Sequence, residues 1–225
     1  MRTILCYGDS NTHGYNPKNG LRFPYHVRWT GMLADLLGPE YHVIEAGLNG
    51  RTTVLTDPLE PYVNGGLFLH MSLRMHKPED LVIIMLGSND LKRIFGEQTA
   101  RQIAENAGKL VEKTKELTAS FNKEGIPSKI LLVSPIEIGE GMAQKSVWKE
   151  SFGGESAVIR SRQFPEEFEK EARRQGVHYM NAAAYAQASE RDSLHLDEEG
   201  HEKLAMAMYH KILEIFQEED QEAKE

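Results

Sequence analysis

The sequence predicts an α/β protein built on a parallel, doubly wound sheet. Three observations lead there. Short, nearly continuous apolar runs recur along the chain, Leu81-Val82-Ile83-Ile84-Met85-Leu86 being the clearest, as expected of strands covered on both faces. Stretches with apolar residues at helical spacing lie between them. The runs end in glycine or in polar turn formers, the place where open parallel sheets put their ligands. Alternating strands and helices imply parallel pairing through right-handed crossovers.

The elements follow in order. The first strand, Ile4-Leu5-Cys6-Tyr7, stops at Gly8, and Ser10 sits just past its carboxyl end. Thr12 to Gly20 is rich in turn formers and predicts a loop over that edge. A helix is expected over 26–37, with Val27, Trp29, Leu33, Leu36 and Leu37 near helical spacing and Gly38-Pro39 as the stop. A second strand over 41–46 ends at Gly47, and Asn49-Gly50-Arg51-Thr52-Thr53 turns beyond it. Prolines and glycines make 57–66 a loop, followed by a short helix over 67–75. The third strand, 80–86, runs into Gly87-Ser88-Asn89-Asp90.

A long helix over 99–123 carries Ile103, Ala107, Leu110, Val111, Leu117 and Phe121 on one side, with Gly125 and Pro127 beyond it. The fourth strand, 129–134, is broken by Pro135. The segment 135–154 is too long for a tight connection and predicts a functional loop anchored by Trp148 and Phe152. Helix resumes over 155–175, bent or divided at Pro165. A short fifth strand covers 177–180, and the last helix, 197–216, aligns Leu204, Met208, Ile212 and Ile215. With no repeat or compositional break, residues 1–216 form one expected domain, and the acidic stretch 217–225 is expected to fray.

Composition narrows the partners. The chain has 225 residues and is 40% hydrophobic, enough for a substantial core. Its formal charge of −8, from 34 acidic against 26 basic residues, argues against nucleic acid and anionic membrane as partners. Cys6 is the only cysteine, so an intrachain disulfide is excluded and a reducing compartment fits. The first apolar run is too short for a secretion signal, and no apolar run approaches a membrane span, so the expectation is a cytoplasmic protein.

Chemistry concentrates at the strand ends. A serine hydroxyl becomes a nucleophile only when a base takes its proton and donors hold the oxyanion. Asp192-Ser193-Leu194-His195, just before the last helix, offers the base and its orienter: on a helical turn residues three apart stand side by side, so Asp192 can bind the ring of His195. The backbone N–H of Ser10, the backbone N–H of Gly50 and the amide of Asn89 are candidate oxyanion donors. Bland readings compete. Ser10 alone suits a helix cap, Asp9 a local backbone hydrogen bond, and Asp90 a turn. Arg51 suits a substrate carboxylate or an ion pair, and His201 a structural role. His70 and His76 share no metal-ligand pattern. A rival class is a non-enzymatic flavodoxin-like module with phosphate or flavin over Gly8 to Gly14, although that stretch lacks the spacing and lysine of a P-loop.

Together, Gly8-Asp9-Ser10, Gly50, Gly87-Ser88-Asn89-Asp90 and Asp192-Ser193-Leu194-His195 resemble, in order, the motif blocks of the SGNH hydrolases, the GDSL-type esterases. Val27-Arg28-Trp29-Thr30-Gly31, Gly47-Leu48, Arg51-Thr52-Thr53 and the 81–87 strand are similar to the bacterial arylesterase and acyltransferase subgroup. Asn11 departs from the leucine of the family name, and its expected effect is on the pocket lining. The resemblance implies a flavodoxin-like three-layer α/β/α sandwich with a five-stranded parallel sheet, no cofactor and no metal. It implies hydrolysis of a small-molecule acetyl-type ester through an acyl-serine, with acyl transfer to alcohols, or carbohydrate O-deacetylase or thioesterase activity, as alternatives. It also implies that Tyr15, Ser88, Lys92, Trp148 and Phe152 border the substrate pocket, and that the protein forms a homo-oligomer.

Overall fold

The computed structural model describes residues 1–122 and 125–222, without the side chains of 219–222. Five parallel strands, β1 (Arg2–Gly8), β2 (Tyr41–Gly47), β3 (Leu81–Met85), β4 (Lys129–Ser134) and β5 (His178–Asn181), form one sheet in the order β2-β1-β3-β4-β5. This is the flavodoxin-like order, and the chain reverses its direction of travel across the sheet between β1 and β3. Crevices for ligands open at that reversal, outside the strand carboxyl ends. Ser10 follows β1 and Asn89 follows β3, so they flank it.

Among the described residues eight α-helices follow in chain order: α1 (Ser10–His13), α2 (Trp29–Leu37), α3 (Gly65–His76), α4 (Ala100–Phe121), α5 (Lys149–Phe152), α6 (Glu155–Ser161), α7 (Phe164–Gln175) and α8 (Glu198–Glu222). Alternate residues of each strand feed opposite cores. Leu5, Tyr7, Val82 and Ile84 pack with α3, α4 and α7, whereas Ile4, Cys6, Leu81 and Ile83 pack with Trp29 and Leu33 of α2 and Leu204, Met208 and Ile212 of α8. All five residues of β3 are buried, each apolar side chain there contributing about 1.5–3 kcal/mol. Burial also pushes the Cys6 thiol well above its usual range, the nearby Glu45 carboxylate adding to the effect.

Several expected boundaries move for local reasons. Ser10 opens a single helical turn, capped by the Asp9 carboxylate accepting from the Asn11 N–H, rather than leading straight into a loop. The helix expected from residue 26 begins at Trp29, because Arg28 is extended (φ −68°, ψ 139°) and separates α2 from a short 3-10 turn, Tyr25–Val27. From that position Arg28 forks onto Glu45 at 2.8 and 2.6 Å. The helix expected over 155–175 divides into α6 and α7, with Pro165 in the first turn of α7, where its missing N–H costs nothing. The expected end of the long helix at Lys123 lies outside the described residues. The last helix continues through Glu222, into the acidic stretch expected to fray, and residues 223–225 lie outside the described residues. Among the described residues no helix is long and apolar enough to cross a membrane.

Candidate active site

The reversal between β1 and β3 gathers residues from four parts of the chain. Ser10 Oγ lies 2.9 Å from Nε2 of His195. On the other side of the ring, Nδ1 lies 2.6 Å from Oδ2 of Asp192. A carboxylate on Nδ1 holds the proton there and leaves the Nε2 lone pair facing the serine hydroxyl. Ser10, Asp192 and His195 are all buried.

Asp192 and His195 do not meet on a helical turn. Their segment is irregular, Ser193 adopts a left-handed backbone (φ 61°), and α8 begins only at Glu198. Asp192 turns its own backbone instead: Oδ1 accepts the N–H of Leu194 at 3.1 Å and that of His195 at 3.0 Å, leaving Oδ2 for the imidazole. Burial works to raise the Asp192 pKa, but the His195 hydrogen bond and charge and the two amides outweigh it, so the carboxyl is held below its ordinary value.

The oxyanion candidates stand beside the hydroxyl. Ser10 is the first residue of α1, so the helix provides its N–H with no partner. Gly50 has φ 78°, a conformation glycine adopts without a side-chain penalty. Asn89 donates one amide N–H to the carbonyl of Arg51 at 3.1 Å. That bond fixes the amide and leaves its second N–H free to act.

A cavity of about 710 Å³ opens over these groups, and its wall includes Tyr15, Gly50, Asn89, Lys92, Trp148 and Phe152. The Tyr15 ring sits on the imidazole, with centroids 4.3 Å apart. Asp57, Glu60, Tyr62, Arg93 and Glu150 bring polar and charged groups to the same cavity, beside the exposed Leu59 and Ile94. Ser88 lies elsewhere than expected: it is buried and off the cavity wall, with its hydroxyl unpartnered among the described residues. The one-turn 3-10 segment Ser88–Leu91 presents Asn89 to the cavity and turns Ser88 away.

Asn11 is likewise not a lining residue. Its side chain is buried, donates to the carbonyl of Leu194 at 3.3 Å and accepts the N–H of Leu196 at 2.9 Å. It thus grips the chain on both sides of His195 while standing next to Ser10. Trp29 donates its indole N–H to the Asn11 carbonyl at 3.1 Å, and the backbone N–H of Trp29 donates to Nδ1 of His201 at 3.2 Å. Burial lowers the His201 pKa to about 3, so its ring stays neutral and can accept that bond.

Arg51 takes neither of its expected roles. Its guanidinium is buried, donates to the carbonyl of Gly8 at 2.8 Å and to that of Ala46, and stacks on Tyr7 at 4.1 Å. It braces the carboxyl ends of β1 and β2 and so sets where Gly50 stands. Asp90 accepts from the N–H of Thr53 at 3.0 Å and from its hydroxyl, tying the Asn89 turn to the Gly50 turn. Burial pushes the Asp90 carboxyl up to about 7 despite the Thr53 hydrogen bonds, with repulsion from Asp9 adding to the rise. Asp9, also buried, is pushed up to about 6 against the pull of the Asn11 amide, His195 and Arg51. Sequence reasoning missed the Asn11 clamp, whose only local signal is a polar residue beside the serine.

Comparison with known proteins agrees with this geometry. The sequence profile of the GDSL-like Lipase/Acylhydrolase family matches residues 6–203. Among solved structures, a carbohydrate acetylesterase from Sinorhizobium meliloti is 35% identical, with a TM-score of 0.88 over 96% of this chain and 100% of its own. The aryl esterase of M. smegmatis is 33% identical, with a TM-score of 0.86 over 95% of this chain and 99% of its own. No curated protein matches closely enough to count as a relative. The order of the blocks, the sheet and the extent of these matches agree: the chain belongs to the GDSL-like lipase/acylhydrolase family.

Proposed function

We propose that the protein is a serine carboxylesterase that hydrolyses small acyl esters, acetyl esters foremost, through an acyl-serine. The observation that carries this is the unbroken hydrogen-bond chain from Ser10 through His195 to Asp192, opening on a cavity that also holds Gly50 and Asn89. Ser10 Oγ attacks the ester carbonyl carbon as its proton passes to Nε2, and Asp192 stabilises the imidazolium that forms. The oxygen of the tetrahedral intermediate takes hydrogen bonds from the N–H groups of Ser10 and Gly50 and the free amide N–H of Asn89. The imidazolium returns its proton to the leaving alkoxide, and a water activated by the same ring releases the acid. An alcohol in place of that water makes the reaction an acyl transfer.

The cavity size suits a small ester, since ligand pockets run to about 300–1,000 Å³. The rim of Asp57, Glu60, Tyr62, Lys92, Arg93 and Glu150 favours one particular leaving group, a polyhydroxylated alcohol that can hydrogen-bond to several of them, as an acetylated carbohydrate does. A phosphate- or flavin-binding role for Gly8 to Gly14 has less support. A Cβ built on Gly8 would lie 2.0 Å from the Thr12 hydroxyl oxygen, so that turn is filled by its own side chain rather than left open as a cradle. The reading extends to self-association: Leu67, Met71 and Met75 form an exposed stripe at four-residue spacing along α3.

The test compares wild type and Ser10→Ala on p-nitrophenyl acetate, then on a panel of acyl esters and acetylated sugars with and without added alcohol. Turnover by wild type and its loss in Ser10→Ala is the expected result. Equal rates for the two proteins remove Ser10 from its role.

A further inference from the structure

The connection from β4 to α6 touches the candidate acid at two points and its neighbour Ser193 at a third. The N–H of Gly139 donates to the carbonyl of Ser193 at 2.9 Å. The Ser146 hydroxyl donates to the carbonyl of Asp192 at 2.5 Å. The indole N–H of Trp148 reaches Oδ2 of Asp192 at 3.4 Å, the same oxygen that faces His195 Nδ1. A fourth bond closes the loop on itself, since the N–H of Trp148 donates to the Ser146 hydroxyl at 3.2 Å. The fit is tight: a Cβ on Gly141 would lie 2.3 Å from the Ser193 hydroxyl oxygen.

These contacts meet an irregular turn that the Asp192 carboxylate already anchors from within. Ser193 is the only non-glycine residue with positive φ among the described residues, a conformation disfavoured for a residue with a side chain, which persists where the surroundings fix it. The bracket lies on both sides of Asp192, at its main chain through Ser146 and at its carboxylate through Trp148. Trp148 also has a second face. Its ring forms part of the cavity wall and stands edge-on to His195, with centroids 6.1 Å apart.

We infer that Trp148 is a positioning residue for the acid of the triad, the joint through which the β4–α6 loop holds Asp192 against His195 and through which the occupant of the cavity bears on that carboxylate. The inference rests on the esterase reading. It goes beyond a wall function for Trp148, which would act on substrate binding alone. A donor on Oδ2 draws charge from the oxygen that must stabilise the imidazolium, so removing it makes Asp192 a stronger partner for the protonated ring but a less well-placed one. His195 also interacts with the buried Asp9 and His201 and packs against the Tyr15 ring, and no hydrogen bond described runs from this loop to any of the three.

The experiment uses the full chain with two variants. Trp148→Phe keeps an aromatic wall and loses the indole N–H. Ser146→Ala loses the hydroxyl bridge and, as Ser146 is off the cavity wall, leaves the cavity lining intact. Folding is checked by circular dichroism, and steady-state rates on p-nitrophenyl acetate are taken from pH 5 to 9. The expected result is a kcat lower by about 5–20-fold in Trp148→Phe and in the same direction in Ser146→Ala, with KM within about twofold. The acid limb of the Trp148→Phe rate profile should move to higher pH by a few tenths of a unit. A rise in KM at unchanged kcat, or a Trp148→Phe profile that overlays the wild type, overturns the inference, as does wild-type kcat in Ser146→Ala. Activity that survives Ser10→Ala would instead defeat the esterase reading, so the two failures are told apart.

Discussion

Replacing Asn11 by leucine, the residue of the family name, tests how the nucleophile and base are held in register. Asn11 spends both ends of its amide on the chain around His195, donating to Leu194 and accepting from Leu196. Leucine fills a similar space and can make neither bond, leaving a buried carbonyl and a buried N–H without their partner. Each stranded group costs about 1–3 kcal/mol, so the variant should be roughly 2–6 kcal/mol less stable. For a domain of this size that corresponds to a fall in Tm of roughly 4–24 °C. The catalytic loss follows from geometry: a displacement of the imidazole by up to about 1 Å costs as much as 10²-fold. The expected kcat on p-nitrophenyl acetate is therefore about 10–100-fold below wild type, with KM little changed, because Asn11 is off the cavity wall. Asn11→Asp separates bonding from volume. It keeps an acceptor for Leu196 but sets a carboxylate oxygen against the Leu194 carbonyl, and it should be at least as damaged. Asn11→Leu with wild-type kcat and an unshifted melt would refute the clamp.

Asn89→Ala removes the proposed side-chain oxyanion donor and should lower kcat by about 10²–10³-fold with KM nearly constant, read by steady-state kinetics. Asp90→Asn tests the buried carboxyl that ties the two oxyanion turns. Because folding raises its pKa from 3.8 to about 7, the stability linked to its protonated form is fully present below 3.8 and is lost as pH rises through about 7. Wild type should therefore lose roughly 2–4 kcal/mol relative to Asp90→Asn between pH 4 and 8, measured by urea unfolding across that range. A stability difference between the two proteins that stays flat with pH would refute a neutral Asp90 in the folded state.

What the sequence made legible follows the range over which each interaction acts. The five strands and most helices are visible because burial imposes periodicity, and Gly8, Gly47 and Gly87 mark three of the strand ends. The pairing of Asp192 with His195 is visible from spacing, although an aspartate-anchored turn, not a helix, brings them together. The clamp by Asn11 was hidden because its partners lie 183 and 185 residues away and are main-chain groups, which carry no side-chain signature. The bracing by Arg51 was hidden for the same reason, since it too binds carbonyls rather than a carboxylate. Ser88, which the resemblance puts at the pocket, lies off its wall because neighbours on a tight turn point in different directions.

Trp29, through its indole and its backbone N–H, makes the two helical faces of the sheet unequal before the chemistry. Through Asn11 on one side and His201 on the other, α2 and the first turn of α8 are wired to the loops that carry the hydroxyl and the imidazole. No corresponding bond runs to those two loops from α4 or α7 among the contacts described. Turnover measured in rising denaturant should therefore report the loosening of the α2/α8 face, and a protein with its opposite face still intact would already be silent.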